Sequence, residues 1–238
     1  MATRPSFGID APGIVRNLAL IGLALFVVAG LGHLLHQPDM TLALGPACSF
    51  TICSGLMLVC SLVTKPIVTR RMIAKLALRG DEQVLDVGCG RGLLLLEVAR
   101  RLPNGRAIGL DLWSTRDQSG NAAAATLANA EIAGVAARVS IDTGDMRAMP
   151  YPDASFDAIV SSLAIHNLPS SIERAQAINE IARVLKPGGR LALLDFRNTP
   201  AYARSLRAAG LEVRRSWPIL LMFPPVWIVR ARKADPIH

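Results

Sequence analysis

Val84-Leu85-Asp86-Val87-Gly88-Cys89-Gly90-Arg91-Gly92 is followed directly by Leu93-Leu94-Leu95-Leu96-Glu97-Val98-Ala99. Three apolar residues around an aspartate read as a short buried strand. Alternating glycines then turn the backbone sharply before an apolar run that reads as a helix. Glycines without Cβ atoms let a ligand lie against the main chain, and the helix N-terminus offers it unpaired N–H groups. The stretch therefore predicts a strand, turn and helix unit that holds something flat and polar.

Spacing narrows the ligand. A dinucleotide fingerprint requires G-x-G-x-x-G, whereas Gly88, Gly90 and Gly92 alternate strictly. Asp111 ends the next apolar segment, Arg106 to Asp111, about 20 residues on, where an acidic group binds ribose hydroxyls in either cofactor class. Further on come Thr143-Gly144-Asp145-Met146, then Met149-Pro150-Tyr151-Pro152-Asp153-Ala154-Ser155-Phe156-Asp157, then Leu185-Lys186-Pro187-Gly188-Gly189-Arg190-Leu191. In that order these segments resemble the class I S-adenosylmethionine-dependent methyltransferases, over roughly Gln83 to Phe196. Four separated motifs agree, which a lone glycine loop would not match in specificity.

The resemblance implies S-adenosylmethionine as cofactor and assigns its contacts. Asp86, with the loop Gly88, Cys89, Gly90 and Gly92, is expected at the amino-acid part. Asp111 is expected at the ribose and Asp145 at the adenine amine. Met146 and Leu112 are expected against the ring face, and Ser161 at the end of the fourth strand is counted with them. Trp113 is near enough to stack, or packs into the core. The segment Ser161 to Leu168 lies where the methyl group should emerge. His166 there can titrate near neutrality and is the candidate base or orienting group, with a histidine bonded to backbone as the alternative. Asp195 at the end of the fifth strand is the second catalytic candidate, or a hydrogen-bond anchor; Arg197 is a candidate for an anionic substrate group. No N-P-P-Y motif points to a DNA or protein amide, and the cysteines expected of arsenic methyltransferases are missing from this region.

The remaining elements alternate in type. Ala122 to Ala133 reads as a helix, Ala137 to Ile141 as a strand, and Phe156 to Ala164 as a buried strand. Ser170 to Leu185 is a helix opened by the capping box Ser170-Ser171-Ile172-Glu173 and stopped by Pro187-Gly188-Gly189. Arg190 to Phe196 is a strand and Ala201 to Ala209 a helix ended by Gly210. Such alternation predicts an α/β fold, a doubly wound, mostly parallel sheet with helices on both faces. By the same resemblance, Leu211 to Val213 and Val226 to Arg230 pair as a final antiparallel hairpin.

Composition points to something more. Of 238 residues 51% are hydrophobic, yet aromatics are few, so the excess must lie in aliphatic runs. From Asn17 to Val63 there is no Lys or Arg, and Asp39 is the only charged residue. The turn His36-Gln37-Pro38-Asp39 divides this run into segments 17–35 and 41–63, each close to the roughly 20 residues of a spanning helix. A two-helix transmembrane hairpin over residues 1–64, before a methyltransferase domain over 65–238, is the economical reading. A cleaved leader ending near Ala29-Gly30 is the rival for the first segment, but the second run follows too closely. Arg4 and Arg16 precede the hairpin and Lys65, Arg70, Arg71, Lys75 and Arg79 follow it, so both ends and the catalytic domain are expected to be cytoplasmic.

Within the second segment Ala47, Thr51 and Gly55 form a small-residue stripe that would let helices approach, or are ordinary small residues. Cys48, Cys53 and Cys60 read as buried small hydrophobes, and His33 with His36 as interfacial residues without a third metal ligand. Lys65 to Leu78 alternates cations with apolar residues at helical spacing, fit to cover the sheet and to lie near anionic headgroups. Trp217 to Pro225 is an apolar stretch broken by prolines: buried strand, a lip over the site, or a loop dipping into the bilayer. The formal charge of +8 calls for an anionic neighbour, and its clustering beside the apolar runs favours a membrane over nucleic acid. Together these features predict a membrane-anchored methyltransferase acting by in-line transfer on a lipophilic small molecule or lipid. The alternatives are a cofactor-binding membrane protein without transfer activity and an RNA methyltransferase.

Overall fold

The computed structural model describes residues 4–235. Before the sheet the chain is helical: α1 (Pro12–Leu34), α2 (Pro38–Thr41), α3 (Leu44–Val59) and α4 (Lys65–Ala74). A turn of π-helix over Cys60–Thr64 joins α3 to α4, with the Lys65 N–H bonded to the Cys60 carbonyl five residues back. Pro66 has no N–H to give to the preceding turn, and the wider π turn absorbs that mismatch without breaking the helix. The second apolar segment therefore does not stop at Val63. It continues as one helical rod from Pro38 to Ala74.

Downstream the elements alternate as expected: β1 (Gln83–Val87), α5 (Leu93–Ala99), β2 (Arg106–Asp111), α6 (Ala123–Ile132), β3 (Val139–Thr143), β4 (Phe156–Ser162), α7 (Ser171–Val184), β5 (Leu185–Asp195), α8 (Thr199–Ala208), β6 (Leu211–Arg215) and β7 (Trp227–Lys233). The sheet order is β3-β2-β1-β4-β5-β7-β6, with β7 antiparallel to both neighbours and the other pairs parallel. This matches the expected α/β class. Ser170 caps α7 through the full capping box. Pro187-Gly188-Gly189 does not separate helix from strand: β5 already starts at Leu185, because Leu185 pairs with Phe156 across an irregularity in the ladder.

Alternation along each strand sends side chains to two cores. Val84, Ala107, Val160 and Leu194 pack with α4 and α5 on one face. Leu85, Val87, Ile159 and Leu193 pack with α7 and α8 on the other. Asp86 shares the face of Val84, so the period of two alone places it under α4 and α5. Strand order reverses between β1 and β4, which leaves a crevice at their C-terminal ends.

The N-terminal helices pair closely. Gly22 of α1 meets Thr51 and Ala47 of α3, and a Cβ there would overlap the Thr51 hydroxyl. The Ser54 hydroxyl donates to the Val15 carbonyl at 3.0 Å. Of the small-residue stripe, Ala47 and Thr51 make this contact, whereas a Cβ on Gly55 would meet nothing. Both long helices are apolar enough to cross a membrane. Leu23, Val27, Leu34, Ile52 and Leu62 are more than half exposed, unlike the core helices of the sheet domain.

Replacing Gly22 by Leu should force the helices apart, at about 1–3 kcal/mol for overpacking a close contact. Thermal unfolding of the detergent-solubilised protein should show a lower midpoint for Gly22→Leu and little change for Gly30→Leu, whose site is open.

Candidate active site

The glycine loop is shaped by positive φ angles that side chains resist: 72° at Gly88, 52° at Gly90 and 87° at Gly92. A Cβ on Gly88 would overlap Ala164 from the loop after β4, and one on Gly90 would overlap the Gln118 amide. The loop is pinned from β2. Gly88 N donates to the Leu110 carbonyl at 2.8 Å, and Gly90 N donates to Asp111 Oδ2 at 2.7 Å. Between loop, β2 end and β4 end lies a crevice of about 240 Å³, lined among others by Asp86, Gly88, Cys89, Gly90, Asp111 and Leu112.

Its polar atoms are short of partners. Both carboxylate oxygens of Asp86, the Asn121 Oδ1 and the Ser162 hydroxyl are buried without a well-formed hydrogen bond. Such groups cost free energy unless something pairs them. Burial first, and then the charge of Asp111, push the Asp86 carboxyl up to about 8. A cationic ligand offering hydrogen-bond donors removes that penalty, and S-adenosylmethionine carries both an ammonium and a sulfonium. The donor set therefore fits the cofactor. Burial, reinforced by Asp86 and Asp111, raises the Cys89 thiol and keeps it protonated.

Sequence reasoning missed one edge of this crevice. Residues 6–11 run as a strap beside it, turned by left-handed residues at Gly8 and Ala11: Ser6 N and Asn129 Oδ1 are 2.9 Å apart, Gln118 Nε2 donates to the Phe7 carbonyl, and Ile9 N donates to the Ser119 hydroxyl. Asp10 closes the strap on the helical rod, with its oxygens 2.8 and 2.9 Å from Lys65 Nζ and its N–H on the Ser61 hydroxyl. Asp10 and Lys65 both line the crevice. The available signal was positional: Asp10 and Lys65 flank the uncharged hairpin, and a hairpin brings its two ends together. Of the other missed lining residues, Ser114, Asp117, Gln118 and Asn121 lie in a segment with no motif of its own, and Asn167 lies in the segment expected at the methyl group without being singled out.

A second cavity of about 430 Å³ abuts the first, sharing Asp10, Asp117, Leu163 and Asn167 with it. His166 lines it. His166 Nδ1 lies 2.8 Å from Asp195 Oδ1, close but poorly aligned for a hydrogen bond. Asp195 is itself held by the Phe196 N–H at 2.8 Å and the Tyr202 hydroxyl at 3.2 Å. The two catalytic candidates are thus brought together, and a carboxylate beside Nδ1 favours the proton there, leaving Nε2 as the basic nitrogen.

The other expected residues divide. Leu112 and Met146 line the crevice, as do three of the four loop residues with Asp86 and Asp111. Gly92 lies behind them as the N-cap of α5. Asp145 does not line it: its carboxylate is clamped by Arg147, which also reaches Glu173, and this ion pair holds it below the usual carboxylate range. Ser161 is buried with its hydroxyl on the Val87 carbonyl at 2.7 Å, tying β4 to β1; its neighbour Ser162 faces the crevice. Trp113 packs against the core and donates from Nε1 to Thr143. Arg197 donates to the His166 carbonyl at 3.0 Å and lines the second cavity.

Known proteins agree with this geometry. Residues 85–193 match the methyltransferase domain family. The chain is 35% identical to the 27-O-demethylrifamycin SV methyltransferase of Amycolatopsis mediterranei over 148 residues, 61% of this chain and 47% of that protein. It is 36% identical over 141 residues to the ubiquinone/menaquinone biosynthesis C-methyltransferase UbiE of Geobacter sulfurreducens, covering 58% of this chain and 50% of the relative. The chain thus spans about half the length of the curated relatives it matches. Among solved structures, the [4+2]-cyclase SpnF superposes with a TM-score of 0.61 at 23% identity, over 72% of this chain and 81% of that one. Geranyl diphosphate methyltransferase in complex with SAM superposes at 0.60 and 13% identity, over 75% and 89%. These structures establish the class I methyltransferase fold, and the relatives support S-adenosylmethionine-dependent methyl transfer with S-adenosylmethionine as cofactor.

Because the native carboxyl of Asp86 sits above its ordinary value, the folded state holds a proton that the unfolded state gives up between about pH 4 and pH 8, and stability falls as pH rises through that window. Asp86→Asn should raise the unfolding midpoint of the ligand-free protein more at pH 8 than at pH 5. The same variant should bind S-adenosylmethionine at least about tenfold more weakly by calorimetry, for loss of a buried charged contact.

Proposed function

We propose that this protein is a membrane-anchored S-adenosylmethionine-dependent methyltransferase whose acceptor is a lipophilic small molecule or lipid. The observation that carries the reading is the second cavity, which joins the cofactor crevice at Asp10, Leu163 and Asn167 and is walled on its far side by α1 and α3. Residues 1–64 serve as the anchor and 65–238 as the methyltransferase domain, with both termini on the cytoplasmic side. Supporting this are the exposed apolar surface of the two helices and the cations that flank them. The printed names of the relatives, which concern a rifamycin and ubiquinone or menaquinone biosynthesis, support an acceptor of lipophilic character.

When bound, S-adenosylmethionine supplies an electrophilic methyl group. Asp86 would pair with the cationic amino-acid part, and the backbone around Gly88, Cys89 and Gly90 would lie against it. Asp111, whose Oδ1 already accepts from the Trp113 N–H and Asn121 and whose Oδ2 accepts from the Gly90 N–H, keeps one acceptor site on Oδ2 for the ribose. Leu112 and Met146 offer apolar faces to the base. Lining up acceptor and methyl group supplies much of the acceleration. His166 takes the proton of an acceptor hydroxyl at Nε2, and Asp195, fixed by Tyr202 and the Phe196 N–H, holds the ring.

Radiolabelled methyl transfer by the detergent-purified protein, offered membrane lipid extract and RNA in parallel, tests the reading. Label should enter the lipid fraction. Label in RNA contradicts the acceptor class, and cofactor binding without transfer to any fraction favours the non-catalytic alternative. His166→Ala should lower kcat by about 10²–10⁴-fold, as removal of a general base does, while leaving S-adenosylmethionine affinity within about twofold. Full turnover in that variant would remove His166 from the mechanism.

A further inference from the structure

The second cavity is not a pocket of the sheet domain alone. Ile14 and Asn17 of α1, Met57 of α3, Cys60 and Ser61 of the π turn, and the 222–226 segment complete it opposite His166 and Phe196. The segment is locked to the rod at two points. Phe223 N lies 2.9 Å from Cys60 Sγ, and the Thr64 hydroxyl donates to Met222 Sδ at 3.2 Å. Met222 is buried, while Trp217 and Leu220 of the same loop stay largely exposed and Leu221 about half exposed.

The lining is graded. Asp10, Asp117 and Asn167 belong to the part shared with the cofactor crevice, and His166, Arg116 and Arg197 line the second cavity alone. Ile14, Met57, Phe223 and Pro224 give it an apolar part on the long helices and the 222–226 segment, where Asn17 is the polar exception. A fully polar metabolite would leave the apolar part unfilled, and a plain hydrocarbon would offer nothing to the half-buried Asp10 and His166.

We infer that the hairpin is part of the acceptor site rather than only a tether, and that the acceptor is an amphiphile with a hydroxylated aromatic head at His166 and an apolar chain running between Met57 and Phe223 toward the bilayer. A flat head is favoured by the aromatic wall of Phe196, whose ring packs edge-on against His166 with centroids 4.5 Å apart. The exposed apolar tip of the 217–221 loop then lies where the chain leaves the protein. This deepens the proposed function and rests on it for the identity of the acceptor.

The test uses the full-length protein in nanodiscs and a 4-alkylphenol carrying a photoreactive diazirine in its chain. Labelled peptides are mapped by mass spectrometry, and phenol and S-adenosylmethionine affinities are measured separately. The expected label falls on residues 11–17, 57–61 and 222–226. Met57→Trp, which fills the cavity, should cut that labelling and weaken phenol binding about tenfold or more, with cofactor affinity changed less than about twofold. Met57→Ala, the milder variant, should shift preference toward bulkier chains.

Label confined to lipid-facing positions such as Leu23 or Ile52 would overturn the inference, as would phenol affinity indifferent to both Met57 variants. Methyl transfer measured on the same samples separates the two levels. Cavity labelling without transfer keeps the acceptor site and sinks the enzymatic reading. Transfer to lipid with label only on the helix exterior keeps the enzyme and sinks the hairpin wall.

Discussion

Asp86 is a carboxylate buried at the C-terminal end of a central strand with no partner of good geometry. Much of the site follows from that one cost. The period of two in β1 turns Asp86 toward α4 and α5, where apolar neighbours cannot solvate it. Arg91 of the glycine loop is spent on the Ser6 and Ser119 carbonyls, and Lys65, whose charge favours the ionised form of Asp86, is already committed to Asp10. The ligand-free protein therefore carries an unpaired acid whose compensation must come from outside the chain. A small cationic molecule with donors of its own is the group that restores the balance, and the orphaned Asn121 and Ser162 atoms in the same crevice point the same way.

A second constraint couples this crevice to the long helices. The strap before α1 reaches the crevice at Asp10, and the Asp10–Lys65 pair ties it to the rod just below its apolar half. At 8% exposure the Lys65 side chain is too buried for this to be an ordinary surface pair, whose worth is close to nil. Removing either partner would leave the other charged and desolvated. In the proposed function this arrangement gives the hairpin three tasks: it anchors the chain, it walls the second cavity, and it holds the strap at the edge of the cofactor site.

Most of the sheet domain was legible from local pattern. Strict glycine alternation after Val84 to Val87, the capping box at Ser170 and the element alternation each depend on neighbours within a few residues, and the structure reproduces them. The crevice residues Asp86, Gly88, Gly90 and Asp111 were legible because a loop shape and a strand end confine them. What could not be read was long-range. Asp145 is expected at adenine, and in the structure its carboxylate is engaged by Arg147 and does not line the crevice, which nothing in Thr143 to Met146 reveals. Ser161 and Ser162 differ by one residue, and the alternation of β4 sends the second rather than the first into the crevice. The strap at residues 6–11 left no motif, because its hydrogen bonds run over 100 residues along the chain to Gln118, Ser119 and Asn129. The rod likewise hid its continuity, since segment 41–63 and the helix from Lys65 read as separate elements until the π turn that joins them is seen.

The central claim is that strap, rod and cofactor crevice form one cooperative unit. A double-mutant cycle on Asp10→Asn and Lys65→Met, read as S-adenosylmethionine affinity of the full-length protein, tests it most directly. Each single variant should weaken binding, and the double variant should lose much less than the sum, with a coupling of about 1 kcal/mol or more, as expected for buried groups in contact. Additive effects, or singles that leave the affinity unchanged, would contradict the claim and reduce the hairpin to a passive neighbour of the site.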